Sequence, residues 1–255
     1  MSLLKLQKSI VYGPVASRRL GCSLGVNVLP FEYKLCSLNC VYCQYGWTKE
    51  WTLDAKAHVS DLPDASDVRL ALDEYLSKLG EIGVMPSYIT FSGNGEPTLH
   101  PGFAEIVGAV KKSRDRLLPK ARVAILSNST TVADARTREA LEELDVRIMK
   151  LDCADQGTYD SFNRPCKGVE LSGVIEGLKS LGSFRLQTLL TNLNSSEESI
   201  ARWVELVGRL KPSDVQIYTL DRQSPSLEVE RLSKEKLEDI ARLLERLTGV
   251  KARVY

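Results

Sequence analysis

Cys36, Cys40 and Cys43 are separated by three and two residues in a stretch with no hydrophobic period. A loop must therefore carry them, and a loop can wrap its thiolates around one centre. Thiolate donors suit zinc or iron-sulfur clusters. A structural zinc site takes four ligands, yet no histidine or fourth cysteine follows at the next expected step. Three cysteines on a 4Fe-4S cluster leave the fourth iron free to bind a substrate or cofactor. The alternative is a zinc site completed by Cys22, Cys153 or Cys166, which would make the chain a zinc-binding, non-catalytic module. Disulfide staples are not expected of the six cysteines, because a chain of this length builds a core without them and the cytosol keeps thiols reduced.

Further residues of chemical interest recur at the ends of candidate strands. In Ser92-Gly93-Asn94-Gly95-Glu96-Pro97, glycines permit positive φ and close backbone approach, and the Glu96 carboxylate can accept hydrogen bonds from an ammonium in a sheltered site. Read alone, the segment is a strand-to-helix turn. Ser127-Asn128-Ser129 follows another apolar run, Asp152 ends a further one and Gln187 lies within the next. Their plain structural uses are a helix cap for Ser127 and Asn128, pairing of Asp152 with Lys150 or Arg164, and a satisfied core amide for Gln187.

The C-x3-C-x2-C spacing with an aromatic residue, Tyr42, before its last cysteine resembles the signature of the radical S-adenosylmethionine (SAM) superfamily. Gly93-Asn94-Gly95-Glu96 is similar to that family's Gly-Gly-Glu motif, which meets the amino group of SAM; Asn94 departs from the commonest form. Ser127-Asn128 resembles the segment that holds the SAM ribose. The resemblance runs from Val11 to about Pro225, and Tyr12 to Gly25 resembles an uncharacterised iron-sulfur oxidoreductase branch related to wyosine synthase, a tRNA-modifying enzyme. It implies a 4Fe-4S cluster on Cys36, Cys40 and Cys43. It implies SAM held among Tyr42, Gly93, Asn94, Gly95, Glu96, Ser127, Asn128, Asp152 and Gln187. One electron from a donor such as ferredoxin or flavodoxin would cleave SAM to methionine and a 5′-deoxyadenosyl radical, which abstracts hydrogen from a small molecule, a peptide or tRNA. A wyosine-synthase-like reaction is the narrower alternative; the auxiliary-cluster cysteines of that enzyme lie in its N-terminal part, where only Cys22 stands here.

The elements that must position these residues follow a βα rhythm. Strands are expected near Leu24–Leu29, Tyr88–Ser92, Arg122–Ser127, Val146–Asp152, Arg185–Leu190 and Val215–Leu220. Between them apolar residues recur at helical spacing, as in Ile200, Trp203, Val204, Val207 and Leu210, and burial alone explains those stripes. The pattern allows a full or partial barrel or a doubly wound sheet, each with ligands at the C-terminal strand ends. The resemblance implies an α/β fold, a partial (βα)6 TIM-like barrel. We expect one domain over 1–255, its core at about 11–225 and a C-terminal helix and strand at about 230–255.

Thirty-four basic against thirty-three acidic residues create no field that draws in nucleic acid or an anionic membrane. No apolar stretch has the length of a membrane span or a secretory signal, so a cytoplasmic protein is expected. Cys22, Cys153 and Cys166 could bind a second cluster or supply a hydrogen atom, but isolated cysteines read first as small buried hydrophobes, which leaves a single cluster; His58 and His100 read as structural. Lys111 to Arg116 reads as a solvated helix face. Arg164, Asp221 and Arg222 fall in loops at the expected mouth, where arginine binds anions or makes salt bridges.

Overall fold

The computed structural model describes residues 3–79 and 83–255. The chain opens with a hairpin of β1 (Val11–Ser17) and β2 (Gly21–Val26), followed by the short strands β3 (Leu35–Cys36) and β4 (Glu50–Trp51) and helix α1 (Ala65–Ser77). Strands β5 (Tyr88–Phe91), β6 (Arg122–Ser127), β7 (Val146–Lys150), β8 (Arg185–Leu189) and β9 (Asp214–Tyr218) then alternate with helices α2 (Phe103–Leu117), α3 (Ala135–Glu142), α4 (Leu171–Ser180) and α5 (Glu197–Leu210). Helix α6 (Lys234–Thr248) and strand β10 (Ala252–Val254) follow.

The main sheet has the order β1-β2-β5-β6-β7-β8-β9-β10, while β3 and β4 pair separately. Only β1 against β2 is antiparallel; every other pairing in the main sheet is parallel. The six expected strands are thus β2 and β5 through β9, and they build the partial barrel. The first begins and ends three residues early, because the Asn27 side chain bonds Leu29 O at 2.9 Å and turns the chain out of the ladder. Val28 and Leu29 stay buried without being strand. Strand β1 was not expected: Gly13-Pro14 interrupts its pattern, as an edge strand allows, and most of its side chains are partly or fully exposed.

Alternation along each strand divides the sheet into two faces. Leu24, Val26, Ile89, Phe91, Val123, Ile125 and Ile217 pack outward into one apolar core with the helix stripes, including Leu72, Ile106, Trp203 and Leu244. Ala124, Val146 and Ile148 face inward and meet Leu20 from the β1–β2 turn. The same turn reaches the far side of the barrel, where Arg18 pairs with Asp221 at 2.8 Å and the Arg19 guanidinium lies 4.5 Å from the Tyr218 ring centre. Higher on the inner face, the ladder aligns Lys150 with Gln187 and Gln187 with Gln216. The interior is therefore apolar at its floor and polar toward the C-terminal strand ends.

Helix starts are capped where the sequence supplies short polar residues: Asp64, Asp134, Ser196 and Ser233 each accept a backbone N–H of the first turn, worth about 1 kcal/mol per cap. The basic run of α2 lies on the surface in ion pairs with Glu143, Asp145 and Asp73.

His100 joins the starts of α1 and α2. Its Nδ1 accepts from Gly102 N at 3.0 Å and its Nε2 lies 3.0 Å from Pro63 O, so the neutral ring with Nε2 protonated satisfies both contacts. Burial lowers its pKa below the ordinary histidine value. A base with a depressed folded pKa contributes stability above its unfolded pKa and loses it as pH falls through the folded one. Wild type should therefore lose thermal stability below pH 6.5 more steeply than His100→Gln, in paired melts at successive pH values.

Candidate cofactor site

The site is built from two loops that main-chain bonds join together. Strand β3 delivers Cys36, and its Leu35 N donates to Asn94 O at 3.0 Å while Glu96 N donates to Leu35 O at 3.2 Å. This crossing requires a glycine: Gly95 has φ +145°, and a Cβ there would lie 1.7 Å from Leu35 O. Gly93 is similarly constrained, with φ +135° and its Cβ position 2.5 Å from Asn27 Oδ1. Gly95→Ala should cost at least about 1–3 kcal/mol from backbone strain, with more from the clash, and chemical denaturation measures it.

Beyond Cys36 the chain turns back twice, with Cys43 N donating to Cys40 O and Gly46 N to Cys43 O. The segment is strapped from outside by residues 162–166: Val41 N bonds Phe162 O, Asn39 N bonds Asn163 O and Arg164 O, and Cys166 N bonds Ser37 O. All three cysteines line one open-mouthed cavity, together with Tyr42, Gly93, Gly95, Glu96, Ser127, Asn128, Lys150 and Gln187. Of the residues that the resemblance assigns to the cluster and SAM, Asn94 and Asp152 are not part of that lining.

Each sulfur has a side-chain N–H donor. Asn128 Nδ2 lies 3.4 Å from Cys36 Sγ, Asn163 Nδ2 lies 3.5 Å from Cys40 Sγ, and Lys34 Nζ lies 3.0 Å from Cys43 Sγ. Burial pushes the Cys36 thiol up to about 12, against the lowering pull of Lys34. Burial, reinforced by Cys43, pushes Cys40 up to about 11. Such thiols hold their protons until a metal displaces them. Among the described residues no three His, Cys, Asp or Glu side chains are grouped closely enough to hold a single metal ion. Three cysteines around a common cavity, Cys36 and Cys40 buried and Cys43 half-buried, each with an N–H donor at sulfur, fit a multinuclear iron-sulfur group better than one zinc ion.

Glu96 closes one wall. It is 1% exposed, and its Oε1 accepts from Thr98 N, Thr98 Oγ1 and Ser127 Oγ at 3.2, 2.6 and 3.0 Å. Oε2 accepts only Asn128 N, at 2.5 Å, which leaves it acceptor capacity. Burial raises the pKa of this carboxyl, and the bonds from Thr98, Asn128 and Ser127 oppose the rise.

Asn94 turns away from the cavity, its amide tied to Gln7 N, Gln7 O and Pro30 O. Asp152 is a buried hub behind the wall. Its Oδ1 takes Leu189 N at 2.8 Å and Lys150 Nζ at 3.1 Å, while Oδ2 takes Asn163 Nδ2 at 2.8 Å and the Tyr42 hydroxyl. The Tyr42 ring is thereby fixed between Phe162 and the Lys150 ammonium. Gln187 Nε2 donates to Gln216 Oε1 at 3.1 Å and its Oε1 accepts from Tyr218.

Lys34, Lys150 and Asn163 were not identified as site residues from the sequence. Lys150 was legible in principle, since it aligns with Gln187 in a parallel ladder. Asn163 comes from a π-helical turn (Tyr159–Asn163) that no periodicity announces. Cys153 lies behind the site, with Sγ 3.3 Å from Asn163 Oδ1, and Cys153, Cys166 and Cys22 do not line the cavity.

The sequence model of the radical SAM superfamily matches residues 33–204, which include the cysteine loop and both strand-end motifs. A protein described as UPF0026 from Synechocystis is 33% identical over 221 residues, covering 84% of this chain and 77% of that one. A protein described as GTPase Obg from Brachyspira hyodysenteriae is 30% identical over 247 residues, 94% of this chain, so the chain spans about a third (34%) of that relative. The chain has no Gly-x4-Gly-Lys-Ser/Thr phosphate loop. Among solved structures, a radical SAM methyltransferase from Sphaerobacter thermophilus aligns with TM-score 0.66 at 14% identity, over 91% of this chain and 65% of that one. TYW1 with a lysine-pyruvate adduct aligns with TM-score 0.60 at 15% identity, over 90% and 74%. These two likenesses are likenesses of fold.

Proposed function

Because this chain belongs to the radical SAM superfamily, we propose that its cavity holds a 4Fe-4S cluster on Cys36, Cys40 and Cys43 with SAM beside it. The pair would act on a substrate through a radical. The observation that carries this reading is the convergence on one cavity of the three cysteines with Gly95, Glu96, Ser127 and Asn128, which lie far apart in sequence. When bound, the cluster and SAM would supply the hard chemistry, reductive cleavage of SAM by an electron from a small reductant such as ferredoxin or flavodoxin and, from the radical so made, hydrogen abstraction.

The protein's own groups bind, orient and exclude water. Glu96 Oε2 accepts the SAM ammonium, and Gly93 and Gly95 let the ligand approach the main chain. Asn128 lies between the Cys36 sulfur and Ser37 Oγ and contacts the ribose. Gln187 presents an amide from the inner face of β8, and Tyr42 forms a wall beside the cluster loop. Asp152 acts behind that wall, by holding Tyr42 and Lys150. The family requires a reductant and a substrate, and no helix among the described residues is long and apolar enough to cross a membrane.

Anaerobic reconstitution with iron and sulfide tests the reading. A broad brown absorbance, a reduced-cluster signal in electron paramagnetic resonance, and 5′-deoxyadenosine formed from SAM under dithionite are expected. A protein that holds one zinc and never cleaves SAM would refute it. Deuterium transfer into 5′-deoxyadenosine, compared across tRNA, peptide and small-metabolite pools, then identifies the substrate class, a wyosine-synthase-like reaction on tRNA included.

A further inference from the structure

Lys34 is a buried cation whose countercharge is missing from the protein's carboxylates. It is 5% exposed, and Nζ donates to Cys43 Sγ at 3.0 Å and Gly46 O at 2.9 Å. No carboxylate pairs with it among the described residues. The titratable groups that act on it are Cys43, Cys36 and Cys40. An isolated ammonium in a low-dielectric interior is costly, and proteins bury one only when it is paired and hydrogen-bonded. Gly46 supplies a hydrogen bond but no charge. Among the described residues, the group at the ammonium that can become anionic is the Cys43 sulfur, once a metal displaces its proton.

We propose that Lys34 is the built-in counter-ion of the iron-sulfur cluster and sets its reduction potential. The inference rests on the cluster assignment made above. Reduction adds one electron, hence one negative charge, to the cluster and its thiolates, and a fixed ammonium 3.0 Å from one of those sulfurs stabilises the reduced form more than the oxidised one. Hydrogen bonds to sulfur, net charge and burial are the terms through which a protein moves such a potential. Asn128 and Asn163 provide the first of these at Cys36 and Cys40. Lys34 alone among the three side-chain N–H donors adds a charge. Its physical task is to make a cluster buried among apolar side chains reducible by a mild biological donor.

The test is a potentiometric titration of reconstituted wild type, Lys34→Met and Lys34→Arg, followed by electron paramagnetic resonance, with iron and sulfide content measured for each. Lys34→Met keeps the apolar stem and removes the charge. Its cluster should be harder to reduce by tenfold or more in the one-electron equilibrium, a midpoint lower by about 59 mV or more, while Lys34→Arg should stay within a few-fold of wild type. An unchanged midpoint in a fully loaded Lys34→Met protein overturns the proposal. So does an equal shift in Met and Arg variants, because charge would then not be the cause. If neither variant loads iron while wild type does, the ammonium is needed for assembly and the tuning role is overturned. If wild type itself forms no cluster, the cofactor assignment has failed, and that outcome is recognised before any variant is compared.

Discussion

Asp152→Ala is expected to cost about 3–5 kcal/mol of stability, the usual consequence of removing one partner of a buried ion pair. That corresponds to a melting temperature lower by roughly 10 °C in a chain of this size. Asp152 is 2% exposed, and its two oxygens together serve Leu189 N, Lys150 Nζ, Asn163 Nδ2 and the Tyr42 hydroxyl. Truncation leaves a largely buried ammonium without its carboxylate and takes an acceptor from three further donors, and a buried donor left unmade costs more than its bond contributed. Asp152→Asn keeps the shape but not the charge, and must turn an NH2 group toward one set of donors, so it should recover little. Differential scanning calorimetry of the two variants checks the size. A loss below about 1 kcal/mol, the level of an exposed pair, would mean that solvent reaches the Lys150–Asp152 contact. The functional consequence follows from the same bonds, because Asp152 and Asn163 hold Tyr42 beside the cysteine loop.

The second large effect is on activity. Replacing Cys36, Cys40 or Cys43 with Ala should lower SAM cleavage by more than about 100-fold, since groups that merely support metal ligands already cost about 10–100-fold when removed. Cys166→Ala should leave cleavage near the wild-type rate. Cys166 is buried, but its contacts with the loop run through its backbone, N to Ser37 O, and its thiol lies outside the cavity lining. Quantifying 5′-deoxyadenosine under dithionite, alongside iron content, separates the two outcomes. Cleavage that survives in Cys40→Ala, or vanishes in Cys166→Ala, would break the single-cluster assignment.

How much was legible from residues alone differs between the two halves of the site. The cysteine spacing, the Gly-Asn-Gly-Glu turn and Ser127-Asn128 are local in sequence, so their proximity to strand ends could be anticipated from the βα rhythm. Strand β1 could not, because Gly13-Pro14 erases the alternation that marks a strand, and its pairing depends on β2. The Asn94 and Asp152 side chains were also beyond reach, for a different reason. A polar residue at a strand end can face the ligand or the protein, and long-range partners decide which: Gln7 and Pro30 for Asn94, and Tyr42 and Asn163 for Asp152.

By itself the sequence determined the six parallel strands, the spacing of the three cysteines and the resemblance that the family match later bore out, because periodicity and short motifs are encoded in neighbouring residues; that Cys36 sits on the short strand β3 and not in a loop depended on its pairing with β4. Only the tertiary structure decided that Asp152 braces rather than lines the cavity, that Leu20 packs on the barrel floor, and that Lys34 is buried against a cysteine sulfur with no carboxylate among the described residues to balance it. Those outcomes depend on which groups meet across tens of residues of chain, where burial strengthens each charge and hydrogen bond, and no local pattern records them.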